Sequence, residues 1–343
     1  MKFRNTFCLV FLIFLSNCHQ SNKTGYQQII DNETRAEQIR DMKFGMFICW
    51  SFSTFSGQEW TPTAGKDASY FRATGCNTDQ WCRVAKDAGM GYILFLTKHH
   101  DGFCLWDTKT TDLKVTNSPL GIDVLAKLKK SCDRHGLKLA LYFSEGDWTF
   151  PGAVFHEDGG RNAEVKKAQL KELLTGYGPI EFIWFDYAQG DGGLSHDETT
   201  QWVYELQPNC FSGYNHGPAS GRIRLRERGT PGTLGDSEAS SIEPEHEATY
   251  KGYLVAEFTY PILPAHQGGA DWFYSLPEHD HLCLPAEKIY QDYLGSVKYG
   301  NIFSLDVGPD YNGEIRNIDV QTLAKVGRLI RGEEKPVEIN NSL

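Results

Sequence analysis

Asp186 closes the run Glu181-Phe182-Ile183-Trp184-Phe185-Asp186, in which strand-forming residues end on a carboxylate, and Gly190, Gly192 and Gly193 break the pattern soon after. Such a carboxylate can start a turn or cap a helix. At the C-terminal tip of a barrel strand it would instead face the mouth where chemistry takes place. Three more polar clusters follow apolar runs in the same manner. They are Cys49-Trp50-Ser51 with Glu59-Trp60, then Lys98-His99-His100-Asp101-Gly102-Phe103, then Ser144-Glu145-Gly146-Asp147-Trp148. Four such clusters in succession are hard to explain by stability alone.

The residue types suit glycoside cleavage, which needs two carboxyl groups flanking the scissile bond, one ionised and one holding its proton. Asp186 fits the ionised role by position. For the second carboxyl the candidates are Glu227, Glu238, Glu243 and Glu257. Glu257 lies at or near the end of a strand expected over residues 254–258. Glu227 sits between Arg226 and Arg228, so as an acid it requires those side chains to point elsewhere, because a contacting guanidinium would favour the anion. His99 and His100 are types that hydrogen-bond sugar hydroxyls, and with Asp101 they are also metal-ligand types, although the spacing matches no tight metal motif such as HExxH. As neighbours on an extended strand they would face opposite sides unless the backbone turns. Trp60, Trp148 and Trp184 are either core residues or stacking faces for sugar rings.

Positioning these residues requires strands that end at one mouth. Strands are expected over 44–49, 92–97, 138–143, 182–185, 211–214, 254–258 and 302–307. Helices are expected over 78–88, 122–135 (stopped by Gly136), 163–174, 198–206, 286–297 and 320–330. Strict alternation predicts a parallel sheet with helices outside it, and a count near eight units favours a closed (β/α)₈ barrel. Residues 213–251 show no periodicity and read as a long, site-building loop. No GxGxxG follows the first strand and no GxxxxGK[ST] occurs, which argues against nucleotide folds.

A formal charge of −10 argues against a nucleic-acid or anionic-membrane surface. Lys2, Arg4 and the apolar run from Phe7 to Leu15 form an export leader, too short to span as a mature helix. Leu15-Ser16-Asn17-Cys18 resembles a bacterial lipoprotein signal. The expected division is therefore a signal at 1–17 with Cys18 lipidated, a polar tether at 18–35, a catalytic barrel at 36–335 and a tail at 336–343, in a periplasmic or cell-surface protein. Nine cysteines less Cys8 and Cys18 leave seven, an odd and irregular set that reads as buried free thiols, with Cys76 and Cys82 the one pair close in sequence.

Phe44-Gly45-Met46-Phe47-Ile48-Cys49-Trp50 with Glu59-Trp60, Leu96 through Trp106, Trp184-Phe185-Asp186 and Gly300 through Pro309 together resemble the α-L-fucosidase family, glycoside hydrolase family 29, over residues 40–330. The resemblance implies a retaining exo-hydrolase that needs no cofactor and acts on fucosylated oligosaccharides or glycoconjugates. Asp186 would be the nucleophile, and Glu59, Trp60, His99, His100 and Trp184, with Cys49 and Trp272, would shape the sugar pocket. It selects Glu227 as the acid/base, with Glu257 and Glu238 as alternatives. Cys49 stands where the family usually has His and Asp306 where it usually has Asn, and no segment for the β-sandwich that commonly follows the barrel is expected. These departures leave α-L-galactoside specificity open. They also leave open a catalytically silent glycan-binding protein on the same barrel, and the histidine cluster leaves open a metal-dependent hydrolase.

Overall fold

The expected alternation folds as a closed barrel in which each strand pairs with the next in chain order and the last returns to the first. The strands are β1 (Phe44–Ile48), β2 (Tyr92–Lys98), β3 (Lys138–Ser144), β4 (Phe182–Asp186), β5 (Phe211–Tyr214), β6 (Ile223–Glu227), β7 (Val255–Pro261) and β8 (Ile302–Asp306). All pairings are parallel, including β1 with β8. This computed structural model describes residues 28–149, 162–186, 193–215, 221–232, 252–266, 269–274 and 276–337. The leader, Cys18, Glu238 and Glu243 lie outside the described residues.

Helices follow β1 to β4, β7 and β8, as parallel connections require, and none is described between β5, β6 and β7. The helices are α1 (Asn32–Arg40), α2 (Phe52–Ser56), α3 (Thr78–Asp87), α4 (Val124–His135), α5 (Ala163–Gly176), α6 (His196–Leu206), α7 (Ala286–Tyr299) and α8 (Asn317–Ile330). The starts of α1, α3, α4, α5 and α6 are fixed by side chains that accept otherwise unused backbone N–H groups, as Asn77 does for Gln80 and Asp123 for Ala126. Gly136 ends α4 in the left-handed conformation. Helix α1 overlaps the stretch expected as a tether. Its Arg35 is buried and ties the entries of two strands together, donating to the Glu181 carboxylate at 2.5 Å and to the Asn209 carbonyl at 2.6 Å.

One expectation is overturned. Residues 213–251 do not form a loop throughout, because they contain β6. Its sequence Ile-Arg-Leu-Arg-Glu alternates apolar and charged residues over only five positions, within a passage rich in Gly and Ser. Ile223, Leu225 and Glu227 share the lumen side, while Arg224 and Arg226 alternate with them on the opposite side. The final strand before the last two helices also runs further than expected, to Pro261.

Side chains from alternate strand positions fill the lumen in layers. Low in the barrel, Tyr92 crosses the interior and its hydroxyl meets Ser304 at 2.7 Å. Gly45 makes this possible, since a Cβ there would fall 2.3 Å from the Tyr92 ring. The seven cysteines are free thiols. Cys82 and Cys132, on adjacent helices, have sulfurs 3.8 Å apart.

Candidate active site

The C-terminal strand tips enclose a cavity of about 260 Å³, on the scale of one sugar unit. Asp186, the last residue of β4, reaches it with both carboxylate oxygens engaged. The Tyr142 hydroxyl on β3 donates to Oδ2 at 2.5 Å. The side-chain amide of Asn215, immediately after β5, donates to Oδ1 at 3.0 Å. The same Asn215 nitrogen donates to Glu227 Oε2 at 2.9 Å. Two oxygens held by one nitrogen can be no more than about 6 Å apart, a span compatible with the roughly 5–5.5 Å separation of a nucleophile and an acid/base in glycosidases that work by double displacement.

Glu227 thus ends a strand, as Asp186 does, and does not sit in an irregular loop. The next residue, Arg228, takes a left-handed backbone (φ 51°), uncommon for a non-glycine side chain. Its guanidinium donates to Asp271 Oδ2 at 2.7 Å and lies 5.1 Å over the Trp272 ring. Arg228 thus pairs with Asp271, as the reading of its neighbour Glu227 as an acid requires. Glu257 is placed differently. It is the third residue of a seven-residue strand, fully buried beneath the cavity, where Oε2 accepts from the Trp184 indole at 3.2 Å. Burial raises its carboxyl to about 8.

His99 and His100 both line the cavity, with ring centroids 4.1 Å apart. The backbone turns after Lys98, closed by the Gly102 amide donating to the His99 carbonyl at 3.0 Å, with Gly102 left-handed. Two successive side chains therefore share one wall. The Ser144 hydroxyl gives its hydrogen to the Gly146 carbonyl at 2.8 Å, so its oxygen accepts from His100 Nδ1 at 2.6 Å. This leaves His100 Nε2 3.6 Å from Asp186 Oδ2. Burial, with His100 beside it, holds the His99 imidazole well below the usual histidine range and hence neutral. His99, His100 and Asp186 offer ligand atoms within 4.8 Å of one another, one trio that could hold a metal ion among the described residues. Asp101 is not in that trio. It is fully buried, accepting from Ser51 at 2.7 Å and from the Phe103 amide at 2.9 Å, and burial pushes its carboxyl up to about 7.

The remaining walls are mostly aromatic. Trp184, Trp148, Trp272 and Phe273 line the cavity with Phe47 and Leu96, while Glu59 and Trp60 stand at its edge, Trp60 being 53% exposed. Burial raises the Glu59 carboxyl, with nearby Asp271 adding to it and Arg228 opposing. Cys49 faces the cavity as a neutral thiol, raised well above its usual range by burial and then by Asp306. Asp306 is itself fully buried, and burial raises its carboxyl well above the usual carboxylate range. Glu145 faces away from the site and pairs with Lys166 of α5. Asp147 forms a buried ion pair with Lys98 at 3.1 Å.

Tyr142 and Asn215 were not singled out by sequence. Asn215 follows its strand as Asp186 ends its own, so the same strand-tip rule could have found it. Tyr142 sits two residues before the tip of β3, where nothing in the sequence separates a functional tyrosine from a core one.

A family model described as "Alpha-L-fucosidase" matches residues 13–334. Alpha-L-fucosidase 1 of Arabidopsis thaliana is 30% identical over 307 residues, covering 83% of this chain and 57% of its own length. The plasma alpha-L-fucosidase of Homo sapiens is 24% identical, covering 84% of this chain and 66% of its own. The chain thus spans between about half and two thirds of these relatives. Among solved structures, alpha-L-fucosidase isoenzyme 1 from Paenibacillus thiaminolyticus superposes with a TM-score of 0.70 at 26% identity, over 87% of this chain and 76% of that one.

Proposed function

The chain belongs to the α-L-fucosidase family of glycoside hydrolases, and on that premise we propose that it is an exo-acting enzyme removing terminal α-L-fucose from fucosylated oligosaccharides or glycoconjugates with retention of anomeric configuration. The observation that carries this reading is the pair Asp186 and Glu227, both hydrogen-bonded to the one Asn215 nitrogen. In this reading Asp186 attacks the anomeric carbon while Glu227 delivers its proton to the departing oxygen, leaving a glycosyl ester on Asp186. Once the nucleophile is esterified its negative charge is gone. Glu227, left as the anion by the first step and no longer facing that charge, takes a proton from water, which attacks and cleaves the ester.

Support for the sugar comes from the walls. A 6-deoxy sugar presents a methyl group, and Phe47, Leu96 and Phe273 offer apolar surface. An apolar wall rejects an added hydroxyl only weakly, so an aryl α-L-galactoside is expected to be cleaved more slowly by no more than about 10²-fold. On residues 1–18 we also propose export with a lipid on Cys18. No described helix is long and apolar enough to cross a membrane.

The decisive test is a screen of aryl α-L-fucoside, aryl α-L-galactoside and fucosylated oligosaccharides, with the first-formed anomer read by NMR. Release of the β anomer would overturn the double displacement. Asp186→Ala should lose at least about 10³-fold in kcat with its thermal unfolding unchanged, and azide should restore turnover of the aryl substrate as a glycosyl azide. Glu227→Gln should slow substrates with poor leaving groups far more than activated aryl glycosides, since the latter need little protonation. The trio His99, His100 and Asp186 raises a metal-dependent alternative, which unchanged activity after dialysis against a strong chelator would remove.

A further inference from the structure

The feature of the site that the mechanism above leaves unused is the bridging amide. Asn215 is buried, and its position is fixed from the backbone, where its N–H donates to the Phe185 carbonyl at 2.8 Å, one residue before Asp186. Its side-chain nitrogen carries two hydrogens and no acceptor capacity. One hydrogen reaches Asp186 Oδ1 and the other reaches Glu227 Oε2. A nitrogen that only donates requires an accepting oxygen on each carboxyl.

We infer that Asn215 is a positioning residue that sets the separation of the two carboxyl groups and, by donating to Oε2, directs the Glu227 proton onto Oε1. This rests on the reading of Asp186 and Glu227 as nucleophile and acid/base. The Oε2 oxygen accepts from the amide and so serves as the carbonyl oxygen of the protonated acid. The Oδ1 contact and the Tyr142 contact hold the Asp186 anion from both sides. Neutrality matters as much as reach. A lysine or arginine at this position would favour the anion at both carboxyl groups and remove the proton that the first step needs. An aspartate would add a third negative charge to the pair. An amide directs both groups and, as a neutral donor, favours each anion only mildly.

The test compares Asn215→Ala and Asn215→Asp with the wild-type enzyme, using kcat/KM for an aryl α-L-fucoside as a function of pH. Loss of pre-organised donors should lower kcat about 10²-fold in Asn215→Ala. Both limbs of its pH profile should move to higher pH, because each carboxylate loses a donor that favoured its charged form. Asn215→Asp has nearly the shape of the native side chain, so it preserves the packing that the alanine variant opens. Its limbs should move further in the same direction, with part of the loss recovered at low pH, where a protonated aspartate can donate again. A purely structural residue would lower activity without moving the profile, and that result in both variants would overturn the inference, as would wild-type kcat. Azide rescue of Asp186→Ala keeps the two claims apart. If rescue fails, the underlying reading fails; if rescue succeeds and the Asn215 profiles stay in place, only the positioning role fails.

Discussion

Tyr142 gives Asp186 a hydrogen bond to a charged group, an interaction worth about 1.5–3 kcal/mol. Tyr142→Phe keeps the ring that stacks on Trp184 with centroids 5.4 Å apart and removes only the hydroxyl. We expect kcat for an aryl fucoside to fall about 10- to 100-fold with little change in thermal unfolding, and an unchanged kcat would show that the contact does not contribute to the reaction. Residues at this scale were unevenly legible. Asp186 announced itself because a carboxylate ending an apolar run is unusual. His99 and His100 were legible as a pair, but their shared wall depends on a backbone turn at Gly102 that no periodicity rule supplies. Tyr142 was invisible, since an aromatic residue inside a strand is what a barrel core needs anyway.

At the scale of elements, seven strands were read from apolar runs and the eighth was lost. β6 hid because arginines occupy its alternate positions and five residues are too few to establish a period. The consequence fell on chemistry, since the missing strand is the one that ends on Glu227. The opposite error occurred in β7, where a strand read as ending near Glu257 continues for four residues beyond it and leaves that carboxyl in the lumen. Glu257 holds its proton to about pH 8 when folded, against about 4.5 when exposed in the unfolded chain. Folding therefore retains a proton that the unfolded chain releases. The resulting stabilisation is complete below about pH 4.5 and is lost progressively as the pH rises to about 8. Glu257→Gln keeps an acceptor for Trp184 and has no proton to lose. Its melting temperature relative to wild type should rise across pH 5–8 and level off above that. A constant difference across this range would mean that Glu257 does not titrate as a buried acid.

For the whole molecule, the barrel separates its tasks by end. The strand tips carry the acids and the histidine pair, whereas the strand entries carry ties such as Arg35 to Glu181 and Asn209. Arg35→Ala would leave Glu181 buried without its main partner, at a cost of about 3 kcal/mol or more. The melting temperature should fall by roughly 5–10 °C while kcat stays within about twofold, and a large loss of kcat at temperatures where the variant is folded would show that the two ends are coupled. The closed topology itself was legible from the alternation of elements, because parallel strands joined by helices leave few other ways to bury both. Around and beneath the catalytic pair, burial favours the neutral forms of Glu257, Asp306 and Cys49. The field felt by a bound sugar thus arises at the rim and fades toward the floor. A sugar mimic with a ring ammonium should gain its attraction from the upper plane alone, and extending the cation deeper on a longer arm should weaken binding.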